Sequence, residues 1–441
     1  MYRLLIVAII LLNVGESYGQ SEKYFTLKET IGQVLSQNWE IRKMKQNIGM
    51  SEAEMRQANS AFLPSLSLSE TYVTTTDPMM AFGTKLGQSS IASTDFNPEL
   101  LNNPDRISNF NTKVEFHQPL FNWDGLKYKE ASKYNYQASL SDMEWLNDAL
   151  ILQTKKLYFQ LHLVRKAKQV VEKARIAAES NYNTSKNLFD QGMITKADLM
   201  GTELYVTQLK SEELKADHDI INLNEMILEL LGSDEQIIFI PADSIPSHTV
   251  NMNGITDDEV LSERPDLKSL SFKSRASESN YLAKKSSIIP RFNAFGYYNL
   301  NDTKLFGTQA DNYLLGIQVK WDVFKGGKNL ASTQQAKYQK QYAQINYEQK
   351  RSEANRNLLK LRNDFQLASE QVKLAELSVK QARELFKIRS DRYAEGLEKT
   401  SGVIADESNY LNKEIGLIQN QLNYLVLLFQ LETELSQDLI K

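Results

Sequence analysis

Two proline-free stretches of the chain carry apolar side chains at intervals of seven residues. They run from Gly125 to Asp190 and from Gly327 to Ala394. One row in the first stretch consists of Met143, Leu150, Leu157, Val164, Val171 and Ala178. The second stretch has a row of Leu358, Phe365, Val372, Val379, Phe386 and Tyr393 and another of Leu361, Ala368, Ala375 and Ala382. A seven-residue repeat holds one face of a helix against a partner helix, so both stretches are predicted to be coiled-coil helices about 100 Å long.

Alternation of apolar and polar residues predicts two short strands ahead of each long helix. The strands are expected at about 64–76 and 110–121, before a long helix at 125–190, and at about 290–301 and 312–323, before a long helix at 327–394. Shorter helices are expected at Leu27–Ala61, Lys196–Leu231, Pro265–Ser287 and Leu397–Gln437. Pro119 is expected to end the second strand, and Thr75–Asn109 is expected to be a long irregular loop.

The order of these elements occurs twice, which indicates an internal duplication. Leu120-Phe121 corresponds to Val323-Phe324, and Gly192 corresponds to Gly396. The first repeat is predicted at 20–232, a connector at 233–256 and the second repeat at 257–441. Residues 1–19 have an arginine, an apolar core and a small-residue end, which are typical of a secretory signal peptide. The predicted fold is mainly α with a small β part.

Charge and residue type exclude several classes of function. The chain has 51 Lys and Arg against 55 Asp and Glu, with the two signs interspersed, so no nucleic-acid partner is expected. It has no cysteine, so neither disulfides nor a lipid-bearing amino-terminal cysteine is expected. The four histidines, at positions 117, 162, 218 and 248, are scattered, and Asp217-His218-Asp219 places neighbours on different helix faces. No catalytic residue, metal site or cofactor is predicted, and the chain is not expected to be an enzyme.

The four strands each have one apolar and one polar face, as strands of a transmembrane wall do. Four strands are too few to close a wall around a pore, and open strand edges are not tolerated in lipid. Several copies would therefore have to share one wall. The alternative is a soluble pair of hairpins that caps a helical stalk. Tyr and Trp residues near the strands belong to an interfacial belt or to a core where strands meet helices; they are Trp123, Tyr128, Tyr297, Tyr298 and Trp321.

Short motifs at the element boundaries add a family resemblance. They are Phe62-Leu63-Pro64, Ile288-Ile289-Pro290, Glu263-Arg264-Pro265-Asp266-Leu267, Leu230-Leu231-Gly232 and the turns at Gly192 and Gly396. In this order, with the duplicated plan, the chain resembles the TolC-like outer-membrane channel proteins of efflux and type I secretion systems. The resemblance implies a homotrimer in the outer membrane of a Gram-negative cell that extends into the periplasm. Twelve strands would form one barrel in outer-membrane lipid, and long helices would form an α-barrel tunnel.

The resemblance also implies a function and partners. The chain would be the passive, gated exit duct of a tripartite efflux pump or type I secretion system. Its partners would be a periplasmic adaptor (membrane fusion) protein and an inner-membrane pump of the RND or ABC type. Adaptor contact would use the two turns, at Gly192, Met193, Thr195, Gly396 and Leu397. The glycines could equally be there only for the turn geometry.

Gating in this family uses polar links and acidic rings near the turns. Asp198 matches one partner of the links, but the expected arginine is Glu398 here, and the ring positions hold Gly402 and Ala405. A different set of tip residues is therefore expected, namely Asp190, Asp198, Arg389, Asp391, Arg392, Glu398 and Asp406. The alternative is that these residues are merely solvated helix ends.

A second function remains open at this point, a periplasmic coiled-coil scaffold or adaptor without a pore. An adaptor normally has one helical hairpin and a soluble β-domain, whereas this chain has two hairpins with strands at their base. The sequence does not indicate the exported cargo. The segment 75–109, with Met79, Met80 and Phe82, would face the outside of the cell or fold back over the pore.

Overall fold

The computed structural model describes residues 21–246, 261–395 and 397–435. Its helices are α1 (Leu27–Gln37), α2 (Trp39–Gln57), α3 (Pro78–Gly87), α4 (Pro98–Asn102), α5 (Trp123–Asp190), α6 (Lys196–Leu231), α7 (Pro265–Ser286), α8 (Lys328–Ala394) and α9 (Thr400–Leu435). Its strands are β1 (Ser21–Phe25), β2 (Ser65–Thr75), β3 (Ile107–Phe121), β4 (Ile237–Pro241), β5 (Arg291–Asp302) and β6 (Ala310–Lys320). The predicted signal peptide, Gly396 and His248 lie outside the described residues. Within the described ranges, no helix is long and apolar enough to cross a membrane.

The chain divides into two compact units. The first consists of Met1–Lys45, Met143–Pro265 and Arg351–Lys441, and the second of Gln46–Asp142 and Asp266–Lys350. The two predicted long helices are present as α5, with 68 residues, and α8, with 67 residues. Their lengths follow from the absence of proline and from the unbroken seven-residue repeats.

The apolar core of the first unit is built on the seven-residue rows. Leu150 and Leu157 of α5 and Leu358 and Phe365 of α8 are buried in one cluster, together with residues of α6 and α9. Aromatic rings fill the space between helices, as with Phe365, whose centroid lies 5.0 Å from that of Tyr424. The heptad rows therefore face a shared core, as coiled-coil packing requires.

A small parallel sheet in this unit was not predicted from the sequence. Strand β1 pairs with β4, which lies inside the predicted connector 233–256. The Asn224 side chain of α6 fixes β4, because it donates to the Ile237 carbonyl (2.9 Å) and accepts from the Phe239 amide (2.7 Å). The Tyr158 hydroxyl accepts from the amide that follows β4, at Ala242 (3.0 Å). The connector thus contains a strand of five residues, which is stabilised by partners distant in sequence.

The prediction of one continuous helix over Leu27–Ala61 was wrong. Asn38 has an extended backbone (φ −55°, ψ 137°) and separates α1 from α2. Its side chain accepts from the Glu40 amide (2.8 Å) and donates to the Leu230 carbonyl (2.8 Å). Asn38 therefore starts α2 as its N-cap and ties this break to the end of α6. The last turn, Ala58–Ala61, is a 3₁₀ helix.

The second unit contains an antiparallel sheet with the strand order β2-β3-β5-β6. Leu66 pairs with Phe116, Phe116 with Gly296, and Gly296 with Leu315, so these residues share one face. The same register places Ser67, Glu115, Tyr297 and Leu314 on the other face. Strands β2 and β6 are the two edges of this sheet, and within the described residues each pairs on one side only.

The strand bounds differ from the predicted ones mainly in β3 and β6. Strand β3 begins at Ile107, continues through Pro119 and ends at Phe121, with a shift in register between those last two residues. The prediction that Pro119 ends the strand was wrong, because a proline is tolerated where the ladder shifts and its missing N–H is not needed. Strand β6 ends at Lys320, three residues before the predicted end.

The segment 75–109 is folded, not irregular. It contains α3, a 3₁₀ turn at Ser93–Phe96 and α4. Asp77 caps α3 by accepting from the Met80 amide (2.9 Å), and Pro78 takes the first helical position, where no amide donor is needed. Asn97 and Pro98 start α4 in the same way. The Asp-Pro and Asn-Pro pairs were a usable signal for these helices.

Candidate functional site

The first candidate turn connects α5 to α6 in five residues. Gly192 has a φ of +72°, which favours glycine. Its amide donates to the Phe189 carbonyl (2.8 Å), and the Met193 amide donates to the Leu188 carbonyl (2.8 Å). This pattern is a Schellman motif, and it satisfies carbonyl groups at the end of α5. Met193 is 69% exposed and lies on the outside of the turn.

Thr195 and Asp198 start the returning helix α6. The Asp198 amide donates to Thr195 Oγ1 (3.2 Å), and the Thr195 amide donates to Asp198 Oδ2 (3.1 Å). This is a capping box. Hydrogen bonds from Thr195 hold the pKa of Asp198 below its usual value, and the charge of Lys399 in the second turn acts in the same direction. The Asp198 carboxylate therefore caps the start of the helix to which it belongs, α6.

The second candidate turn connects α8 to α9. The Leu397 amide donates to the Arg392 carbonyl at the end of α8 (3.0 Å), and Leu397 is 64% exposed. The Thr400 hydroxyl is 3.2 Å from the Tyr393 hydroxyl across the turn. Both candidate turns thus present one exposed apolar residue, Met193 in the first and Leu397 in the second.

Arg389 joins the two helices beside the second turn. Its Nε donates to the Asp406 carboxylate of α9, and its Nη1 lies 3.4 Å from Glu398 Oε1. Arg392 Nε lies 4.0 Å from the other Glu398 oxygen. The Asp406 side chain is 14% exposed and the Arg389 side chain is 34% exposed, so this ion pair is partly shielded from water. A partly buried arginine with two carboxylates links α8 to α9 at their end.

Gly402 provides space for the Arg389 side chain. A Cβ atom at this position would lie 3.0 Å from Arg389 Nη1 and 3.2 Å from Glu398 Oε1. A side chain at position 402 would therefore crowd the Arg389 guanidinium and the Glu398 carboxylate.

A buried acid, Glu407, lies next to this cluster on α9. It is 5% exposed, and its Oε2 has no hydrogen-bond partner within the described residues. Burial raises the pKa of Glu407 to about 7. Burial and the Glu407 charge both raise the pKa of Tyr205 on α6, whose hydroxyl is also unpartnered there. Glu407 lies in an apolar row with Val403 and Leu411, and an acid in such a row was the signal that sequence reasoning missed.

Ion pairs also join α5 to α6 further from the turn. Arg175 Nε lies 2.6 Å from Glu213 Oε2, and Lys168 Nζ lies 2.5 Å from Asp217 Oδ1. Lys210 Nζ lies 3.2 Å from Glu179 Oε1. Asp217 is thus paired with a cation of the neighbouring helix. Within the described ranges, no three His, Asp or Glu side chains are placed to hold a metal ion.

The structure brings together four of the seven predicted tip residues, namely Arg389, Arg392, Glu398 and Asp406. Asp198 instead forms the capping box. Asp190 and Asp391 make no ion pair with the residues that are described. Of the predicted adaptor-contact residues, Gly192, Met193, Thr195 and Leu397 lie in the two turns, and Gly396 is outside the described ranges.

The profile described as outer membrane efflux protein matches residues 30–233 and 258–435. The chain belongs to the outer membrane efflux protein family. The two matched ranges leave out residues 234–257, which lie between them.

Curated relatives and solved structures agree with this family. The efflux protein is 24% identical over 321 residues to the probable outer membrane lipoprotein SilC of Salmonella typhimurium, and 22% identical over 311 residues to the cation efflux system protein CusC of Escherichia coli. Each match covers 67% of this chain, and the chain spans 66% and 67% of the two relatives, respectively.

Solved structures show the fold. The TM-score is 0.81 to a CusC structure, at 16% identity and covering 96% of both chains. It is 0.78 to VceC of Vibrio cholerae, at 15% identity and covering 94% of this chain and 96% of that one. The prediction of a TolC-like fold, mainly α with a small β part, is confirmed.

Proposed function

We propose that this efflux protein is a passive, gated exit duct across the periplasm and outer membrane, formed by three copies of the chain. It would serve a tripartite efflux pump or a type I secretion system. The observation that carries the proposal is the sheet β2-β3-β5-β6, which has one apolar face, one polar face and two edge strands with an unpaired side. A sheet of this kind needs lipid on one face, water on the other and further strands at its edges.

The side chains of the apolar face are so exposed that contact with water would be energetically unfavourable. Leu66 and Leu68 on β2 and Tyr313, Leu315 and Ile317 on β6 are each between 69% and 76% exposed. The band from Tyr313 to Val319 is about 20 Å long along β6 at 3.3 Å per residue; at the tilt of a barrel strand it would cover about 15 Å of a lipid-facing band. At its outer end the Tyr298 hydroxyl donates to Asp311 (2.9 Å), so polar groups limit the band there.

Aromatic residues occupy the inner end of this band. Trp321 is 58% exposed, and its indole nitrogen donates to the Ile288 carbonyl (2.9 Å). Trp123 stacks on Phe121 with ring centroids 6.4 Å apart and is 39% exposed. An exposed ring whose polar atom is satisfied, as in Trp321, fits a membrane–water interface better than a core.

The opposite face is polar and charged. Lys113 Nζ lies 3.2 Å from Glu115 Oε2 and 4.7 Å from the centroid of the Tyr297 ring. His117 lies 3.4 Å from the other Glu115 oxygen. In a closed wall this face would line a water-filled interior, because charges on the lipid side are costly.

Exposed apolar rows on the helices favour the same assembly. Met200, Leu214 and Ile221 of α6 are 58% to 71% exposed and are separated by multiples of seven residues. Leu367, Leu374 and Ile388 of α8 repeat this spacing at 52% to 63% exposure. Rows with this period pack on other coiled-coil helices, which we assign to neighbouring copies in a homotrimer.

The Arg389 cluster is the proposed gate link. It ties α8 to α9 at their turn, and the ion pairs of Arg175 and Lys168 tie α5 to α6 over a longer stretch. Opening would separate the hairpin ends and break the Arg389–Asp406 pair. The exposed turns, with Met193 and Leu397, would contact a periplasmic adaptor protein, and an inner-membrane pump of the RND or ABC type would drive transport. The duct itself would carry out no catalytic step.

The relatives' names suggest where to look for cargo. CusC is described as part of a cation efflux system. Metal cations are therefore the first class to include, beside drugs and detergents, when cells that lack this protein are scored for sensitivity.

The test of the duct and its gate is single-channel recording of the purified protein in planar bilayers. The unmodified protein is expected to insert as a trimer with a small conductance, and Arg389→Ala is expected to raise that conductance several-fold, because the partly buried link is lost. Lys360→Ala on the same helix removes an exposed pair with Asp364 and should leave the conductance unchanged. Recovery of the protein as a soluble periplasmic monomer without channel activity would favour the scaffold alternative.

A further inference from the structure

Residues 76–106 form an insert that packs on the polar face of the four-stranded sheet. The anchor is Gln88, at the end of α3, which is 2% exposed. Its amide nitrogen lies 2.8 Å from the Ser108 carbonyl and 2.8 Å from Asn109 Oδ1. The Gln309 side chain, from the connection between β5 and β6, donates to the Gln88 carbonyl (3.1 Å). The insert is therefore bonded to both hairpins of the sheet.

The side of the sheet that carries the insert is identified by an amide cluster. Asn109 and Asn111 both donate to Asn301 Oδ1, at 2.9 Å and 3.0 Å. These asparagines share the face of Lys113 and Glu115. Gly87 of α3 approaches the same cluster, since a Cβ atom there would lie 3.8 Å from the Asn301 side chain. Helix α3 contacts both β3 and β6, so it crosses over β5 on this polar face.

The insert has an internal structure of its own. Ala81 is 1% exposed, and the rings of Phe82 and Phe96 meet edge to face with centroids 5.9 Å apart. Lys85 Nζ lies 2.7 Å from Asp95 Oδ1, and the Asp95 side chain is only 14% exposed. These contacts hold α3 and the following turn together as one body, which does not extend freely from the sheet.

We infer that the insert is a size filter at the outer end of the duct, which limits the entry of large molecules from outside. This inference rests on the proposed function, because it takes the polar face to be the wall of the interior. A folded body bonded to that face occupies space that solutes would otherwise use. Three copies would narrow one exit from three sides.

The experiment uses thiol labelling, which is clean here because the chain contains no cysteine. Gln318→Cys places a thiol on the polar face of β6, deeper than the insert. Whole cells are treated with a small maleimide or with a maleimide on a long polyethylene glycol chain. In the otherwise unmodified protein, the small reagent is expected to label position 318 and the large one is expected to label it at near-background levels.

Removing the insert is the decisive change. Thr75 and Ile107 are paired at the end of the β2–β3 ladder, so a two-residue Asn-Gly turn can replace residues 76–106. In this variant the large reagent is expected to label position 318 as completely as the small one does. If the large reagent labels position 318 equally with and without the insert, the filter is refuted.

A milder variant covers the case in which the shortened protein does not assemble. Gln88→Ala combined with Gln309→Ala keeps the insert but removes the hydrogen bonds that hold the end of α3 to Ser108, Asn109 and the β5–β6 connection. Labelling of position 318 by the large reagent should rise in this variant, and an unchanged level would overturn the inference. Trimer formation is checked for every variant by gel mobility without boiling.

A second thiol position separates failure of the filter from failure of the proposed duct. Ile317→Cys lies next to position 318 but on the apolar face. Lipid should protect this thiol from both reagents, with and without the insert. If position 317 is labelled as readily as position 318, the sheet is not covered by lipid and the proposed function itself fails, whatever the insert does.

Discussion

At the residue scale, one arginine pairs with two acids beside the second turn, where the family resemblance led us to expect an arginine at position 398. Arg389 reaches Asp406 and Glu398, and Gly402 leaves room for its side chain. The sequence indicated which charged residues lie near the turns, but not which of them pair. Pairing depends on the relative rotation of α8 and α9, and that rotation is set by packing and not by local sequence.

Glu407 gives a prediction for the dependence of stability on pH. Its pKa is about 7 in the folded protein against 4.5 as the ordinary value. The folded state therefore holds this proton more tightly than the unfolded state, so ionisation costs stability. The penalty is absent below about pH 4.5, grows as the pH rises to about 7, and amounts to roughly 3 kcal/mol above that.

Thermal unfolding of the purified protein at pH 5 and pH 8 checks this expectation. Glu407→Gln removes the ionisable group, so the loss of thermal stability between the two pH values should be smaller than in the unmodified protein. Glu376→Gln, at an exposed position of α8, makes the same change of charge and should keep the full pH dependence. An identical pH dependence in all three proteins would show that Glu407 does not carry this penalty.

At the element scale, the parts of the fold that the sequence predicted are those with a local period. The seven-residue rows indicated α5 and α8, and alternation indicated the strands of the four-stranded sheet. The break at Asn38 was missed because its cause is a hydrogen bond to the Leu230 carbonyl. The β1–β4 pair was missed for the same reason, since strand pairing across a long stretch of chain leaves no local pattern.

The turn between α5 and α6 gives a prediction with a matched control. Gly192 has a φ of +72°, and a Cβ atom there would meet nothing within 4 Å. Gly192→Ala is therefore expected to cost only the backbone strain, about 1–2 kcal/mol. Gly201, in the first turns of α6, also has open space around it but an ordinary helical backbone, so Gly201→Ala should stabilise by about 1 kcal/mol.

Thermal unfolding followed by circular dichroism should move in opposite directions for these two variants. A shift of the same sign for both would mean that side-chain contacts made in the trimer, and not the backbone conformation, decide the effect at one of the two positions.

At the scale of the whole molecule, the exposed apolar face of the sheet is informative because a single copy leaves it uncovered. Ile317 and Gln318 are neighbours on β6, and their side chains lie on opposite faces of the sheet. Ile317 is on the apolar face and Gln318 is on the polar face. Neighbouring residues that require different surroundings provide a direct test of which face meets lipid.

If the proposed duct is correct, Ile317→Lys is expected to destabilise the inserted assembly by about 2–4 kcal/mol, because it places a charge on the proposed lipid face. Gln318→Lys introduces the same side chain on the polar face and should be nearly neutral. The measurement is the fraction of protein that runs as a trimer on a denaturing gel without boiling, as temperature is raised. Equal losses in the two variants would contradict the assignment of the faces.

The pairing of Ser21–Phe25 with Ile237–Pro241 has a consequence for biogenesis. An exported polypeptide emerges from the translocation machinery amino end first, so the initial strand reaches the periplasm long before the segment that will lie beside it. During that interval its main-chain donors and acceptors stay open to other polypeptides. A nascent chain released before Pro241 would lack the strand that pairs with β1, so the main-chain groups of β1 would stay unpaired. Early termination of synthesis is therefore expected to favour aggregation.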